Sequence, residues 1–163
     1  MIEAKKPVLV VRYNCFRDFD FIDEHSRILQ EAGHVWMLKV GKKIPLLSLR
    51  NFEEAGGHIL LKSPKKLGNR YYYAHMVQYR HGSPGEDMCY PSYYHAMTEE
   101  SYDYTLDGTW LQFDKLFEIN DESIDHFHLI KNGAALRDII NATRTSTLYV
   151  ESDKTFEMEK KHG

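Results

Sequence analysis

The chain has 163 residues; 42% are hydrophobic, 28% are charged and the net charge is −3. These are ordinary values for one folded domain, and they exclude disordered, collagen-like and coiled-coil chains. Two cysteines, Cys15 and Cys89, are too few for a disulfide scaffold and too far apart for a CxxC motif. The opening residues, Met1 to Pro7, carry no apolar signal segment, and no apolar run approaches the roughly 20 residues of a membrane helix. The expectation is a cytoplasmic or nucleoid-associated protein that needs no membrane, metal or cofactor.

The charge is segregated along the chain. Met37 to Arg80 holds nine Lys/Arg and two acids, whereas His81 to His128 holds eleven acids and one lysine. Either the two blocks neutralise each other on the folded surface, or they form separate patches. In the second case Lys42, Lys43, Lys62, Lys65, Lys66 and Arg70, with Lys39, form a basic face able to meet phosphate.

The β-branched run Pro7 to Tyr13 predicts a strand. Asp18 and Asp20 are positioned to cap a helix through Ala32, with Phe21, Ile28, Leu29 and Ala32 on its apolar side and Gly33 at its C-cap. His34 to Val40 predicts a second strand. Ile44 to Ala55 predicts short helical turns with Leu46, Leu47, Leu49 and Phe52 inward. Gly56-Gly57 breaks that segment, and His58 to Lys62 pairs as a hairpin with Arg70 to Arg80 across a basic turn.

His81 to Thr105 is irregular in pattern and rich in tyrosine, including Tyr90, Tyr93, Tyr94, Tyr102 and Tyr104. Loops of this length inside a domain are usually functional. Gly108 to Ile119 predicts a strand with Leu111, Phe113, Phe117 and Ile119 on one face and Trp110, Gln112 and Asp114 on the other. Helices near 124–130 and 134–142, a last strand over 147–150 and a polar tail complete the chain. About six strands with interposed helices give an α+β fold, a small mixed barrel.

The order of these pieces resembles a known family. Val35-Trp36-Met37-Leu38-Lys39 is similar to the Trp-x-x-Lys opening strand of the EVE domain, a branch of the PUA-like fold. Gly56 to Ser63 follows the shape of its glycine-led strand ending at a serine, without the acid after the glycine. Ala74-His75-Met76-Val77, Pro91 with Tyr93-Tyr94, Trp110 to Asp114, and Leu129 to Val150 follow in the family's order. Val40-Gly41 replaces the glutamate and proline that follow the family's lysine, so the resemblance is to a divergent PUA-like relative. It covers about residues 34–150, and it divides the chain into an N-terminal strand-helix extension (1–33), the PUA/EVE-like domain (34–153) and a tail (154–163).

The resemblance implies a non-catalytic reader of nucleic acid that recognises a modified or flipped base, modified cytosine in DNA or a modified base in RNA. Such a site needs aromatic faces, edge contacts and cations for the flanking phosphates. Trp36, Trp110, Tyr73, Tyr93 and Tyr94 are the candidate faces, and Ser63 and Lys39 the candidate edge contacts. For each tryptophan the alternative is plain core packing.

Other chemistry is less well supported. His126-x-His128 and the Cys89/His95 pair do not make a compact ligand set. No nucleophile elbow or phosphate loop occurs. Asp103, Asp107, Asp114, Asp121 and Glu122 offer carboxylates for a metal-dependent nuclease or hydrolase. A further alternative is a protein-interaction or small-molecule module that uses the tyrosine-rich loop 90–104.

Overall fold

The computed structural model describes residues 1–100 and 105–162. Tyr102, Asp103 and Tyr104, named above, lie outside the described residues. The fold is α+β. Its strands are β1 (Pro7–Arg12), β2 (Val35–Lys39), β3 (His58–Lys62), β4 (Tyr71–Gly82), β5 (Gly108–Ile119), β6 (Phe127–Leu129) and β7 (Thr147–Ser152). Its helices are α1 (Phe21–Ala32), α2 (Leu46–Glu54), α3 (Tyr93–Glu100) and α4 (Leu136–Ile139). The seven strands form one mixed sheet in the order β2-β5-β4-β3-β1-β7-β6. Only β1 and β3 run parallel. The sheet is open, with β2 and β6 as its outer strands, and has one strand more than the sequence suggested.

β1 occupies an interior place because its residues suit one. Val8 and Val10 face one core, Leu9 and Val11 the other, and all four are buried. A run apolar on both faces is the pattern of a strand covered on both sides. Residues 1–33, read from sequence as an extension, therefore contribute a strand between β3 and β7 and a helix packed on β2.

One face of β1–β5 shares a core with α1 and α2, built from Leu9, Val11, Val35, Met37, Ile59, Leu61, Ala74 and Met76 with Phe21, Leu49 and Phe52. The sheet curls about this core, so the ends of β1 and β2 reach a common cleft although three strands separate them. The other face carries two further cores. One is under β6, β7 and α4; the other holds Trp36, Leu38, Trp110, Tyr93 and Tyr94.

Several sequence expectations need correction. β5 does not keep one apolar face. Asp114 and, on β4, Val77 are left without partners in the ladder, and each such bulge inverts the alternation. Leu111 and Phe113 therefore enter the first core while Phe117 and Ile119 enter the second. In α2, Leu49 and Phe52 are buried, but Leu46 and Leu47, in its first turn, are exposed. The irregular 81–105 stretch contains α3, and 127–129 is a strand rather than part of a helix. Phe156 of the polar tail is anchored by pairing with Ile2.

α1 is capped as expected: Asp20 accepts from Asp23 N–H at 3.0 Å, and Gly33 closes the helix at φ +81°. Gly57 is a harder requirement. At φ +70°, a Cβ there would lie 2.3 Å from the backbone oxygen of Met76, whose N–H in turn donates to Gly57 O. Gly57→Ala is expected to cost about 2–4 kcal/mol, whereas Gly33→Ala, whose Cβ meets nothing within 4 Å, costs about 1 kcal/mol. Urea unfolding of the two variants checks the order.

Candidate functional site

A cleft of about 290 Å³ opens at the C-terminal ends of β1 and β2. The segment after β1 supplies Tyr13, Asn14, Cys15 and Phe16, the end of β2 supplies Leu38 and Lys39, and α3 supplies Tyr93, Tyr94 and Met97. The walls are aromatic and mutually braced. Tyr13 stacks on Phe21 at 4.3 Å between centroids, and Tyr93 stacks on Phe19 at 5.1 Å and Phe16 at 6.3 Å. Burial pushes the hydroxyls of Tyr13, Tyr93 and Tyr94 above the ordinary phenol range, so all three are neutral donors.

Among the described residues the charged ones lining the cleft are Arg12 and Lys39, and none that lines it is a carboxylate. Neither cation has an ion-pair partner among the described residues. Lys39 donates to Lys42 O at 2.6 Å, and Arg12 donates to Thr143 O. Burial first, then the Lys42 charge, lowers the Lys39 ammonium from its usual range.

The back wall is fixed by a buried relay. Leu38 N–H donates to Tyr94 Oη at 3.2 Å, Tyr94 O–H is 2.7 Å from His25 Nε2, and His25 Nδ1 is 2.7 Å from Phe21 O. These distances are satisfied together when His25 is neutral, Nδ1–H donates to the carbonyl and Nε2 accepts from tyrosine. Burial drives the His25 pKa down to about 4.

Of the residues proposed from sequence, Lys39, Tyr93 and Tyr94 meet in this cleft. The others lie elsewhere. Trp36 and Trp110 are buried in the third core; Trp110 Nε1–H is shared between Gly82 O and Leu106 O, and the Arg80 guanidinium lies 5.0 Å over Trp36. Ser63 closes the β3–β4 turn: its hydroxyl donates to Gly68 O at 2.8 Å and accepts from Arg70 N–H at 3.1 Å. Tyr73 is on the second-core face, bonded to His58 at 2.7 Å.

The basic residues do not form one face. Lys43 pairs with Asp107 and Arg70 with Glu118, Lys42, Lys65 and Lys66 are exposed, and Lys62 is buried. Pairs such as Lys43–Asp107, Arg70–Glu118 and Arg80–Asp87 join the basic segment to the acidic one, so much of the segregation seen in sequence cancels on the surface.

The remaining alternatives find little geometry. Asp107, Asp114 and Asp121 are spent on Lys43, His75 and Arg137, and no group of three or more metal-binding side chains occurs among the described residues. His126 ends a 3-10 turn while His128 lies on β6, and His95 faces Tyr90 at 3.0 Å. Tyr93 and Tyr94, in the loop read as a contact surface, point inward.

Sequence reasoning missed Arg12, Tyr13, Phe16 and Met97. A signal existed in the aromatic spacing Tyr13, Phe16, Phe19, Phe21 directly after a strand, but those residues fall in the segment set apart as an extension. No family model, no curated protein and no solved structure matches the chain. Among the described residues no helix is long and apolar enough to cross a membrane.

The relay predicts a pH dependence. His25 binds a proton more weakly folded than unfolded, so its stabilising neutral state is fully present above about pH 6.5 and is lost as pH falls toward 4. The loss is on the order of 3 kcal/mol. Chemical unfolding between pH 4 and 7 is expected to show this decline, and His25→Gln to flatten it. Part of the slope that persists belongs to His58, which burial also holds at about 4.

Proposed function

We propose that this chain is a non-catalytic reader of nucleic acid, a PUA-like module that holds a flipped, modified base in the cleft between β1, β2 and α3. The observation that carries the reading is the pairing of aromatic walls with two cations that, among the described residues, meet no carboxylate. A flipped base needs an apolar slot for its faces, donors for its edge and positive charge for its phosphates. The volume is near the roughly 300 Å³ lower end of ligand pockets, suited to one nucleoside.

Residue roles follow from position. Tyr93 and Phe16 present ring surface, and Asn14 and Lys39 present edge donors. Exposed Lys42, three residues beyond Lys39, is placed for a neighbouring phosphate. The curl β2-β5-β4-β3-β1 about a single core is the part of the sheet that a PUA-like half-barrel would use. Modified cytosine in DNA and a modified base in RNA are the two ligand classes for this reading.

The test is anisotropy titration of labelled single strands, DNA and RNA, with plain or modified cytosine at several salt concentrations. The modified strand is expected to bind more tightly, with a log–log salt slope of about −2 if three phosphates are met. Lys39→Met is expected to weaken binding about tenfold by removing a charge-assisted contact. Absence of binding to every strand by folded protein contradicts the reading.

A further inference from the structure

A buried cation is ordinarily matched by a carboxylate, because removing an isolated charge from water is unfavourable by several kcal/mol. Lys62 departs from that rule. It is 2% exposed, its ammonium donates to Ser63 O at 2.7 Å, and the Tyr71 ring lies 5.8 Å away. It forms no ion pair among the described residues.

Its neighbours add to the imbalance. Arg12 stands opposite Lys62 in the parallel β1–β3 ladder, so the two side chains leave the same face of the sheet. Lys65 begins the 3-10 turn that follows. After burial, the charges of Arg12 and Lys65 are the main influences lowering the Lys62 ammonium from its usual range, and Asp121 is the carboxylate that opposes them. Asp121 is itself held by Arg137 at 2.9 Å. Three cations thus gather where two parallel strands end, graded from buried Lys62 through half-buried Arg12 to exposed Lys65. A local conflict of this kind is characteristic of a site kept for binding rather than for stability.

We infer that Arg12, Lys62 and Lys65 form a binding site for a phosphate group, which supplies the missing counter-charge. Arg12 also lines the aromatic cleft, so the site adjoins it. That the phosphate belongs to the nucleotide whose base enters the cleft rests on the proposed function; the phosphate site itself does not.

The test uses the full chain and inorganic phosphate, with chloride at matched ionic strength as the reference. Calorimetric titration is expected to show saturable binding, and phosphate to raise the Tm. Lys62→Met keeps the stem and removes the charge. It is expected to weaken phosphate binding about tenfold, yet in chloride to be at least as stable as the parent, since a repelled buried charge is gone. Should that variant not fold, Arg12→Gln and Lys65→Gln must each show the loss of phosphate binding. No binding by the parent chain, or equal binding by parent and variants, overturns the inference.

An oligonucleotide arm separates this claim from the base-reader reading. Weaker strand binding by Lys62→Met assigns the site to a strand phosphate, and unchanged strand binding with lost inorganic phosphate assigns it to the free ion. Phosphate binding without any strand binding supports the site and contradicts the reader.

Discussion

The cleft depends on the relay from Leu38 N–H through Tyr94 and His25 to Phe21 O. It is a polar connection that ties the distant helix α3 to the first turn of α1 and to strand β2. Both side chains are almost wholly buried, and no buried side-chain polar atom among the described residues is left without a partner. A complete network of this kind orients as well as stabilises, because breaking one member strands another in a low-dielectric interior. Tyr94 thereby fixes the rotation of α3, and that rotation turns Tyr93 and Met97 into the cleft. Without it, α3 would be a short helix of weak amphipathic character.

The electrostatics divide along the same lines. Several exposed charges are matched across segments, as in Arg17–Glu100, Arg80–Asp87 and Arg137 with Asp121 and Asp125. Such pairs contribute little to stability and serve mainly to flatten the surface potential of an acidic chain. Arg12, Lys39 and Lys62 are half-buried or buried, have no ion-pair partner among the described residues and are answered by backbone carbonyls; Arg12 and Lys62 end the adjacent strands β1 and β3, and Lys39 ends β2. Positive charge is therefore retained even where water is scarce, which is a condition an anionic ligand would satisfy.

Much of the fold was legible because local signals and tertiary demand agreed. Asp20 and Gly33 bound α1 chemically, the β-branched run Pro7 to Tyr13 marked a strand, and the glycine pair before His58 marked a break that backbone crowding enforces. What was not legible depended on long-range pairing. The bulges at Val77 and Asp114 arise between two strands, so alternation within β5 alone misassigned Phe117 and Ile119. Of the candidate site, only Lys39, Tyr93 and Tyr94 were found in advance. Tryptophans suited to stack on a base are equally suited to a core, and here Trp36 and Trp110 fill one. Arg12, Tyr13 and Phe16 were passed over because the curl of the sheet that brings them to β2, across the three strands between, leaves no local trace.

The central claim is that a nucleotide enters the cleft held open by the Tyr94 relay. Amide chemical-shift mapping with a single strand carrying one modified cytosine tests it most directly. The account predicts perturbations concentrated at residues 12–16, 37–42 and 93–97, larger for the modified strand than for the plain one. Perturbations confined to the apolar groove formed by Ile130, Ile139, Leu148 and Tyr149, or none at saturating strand concentration, would contradict it.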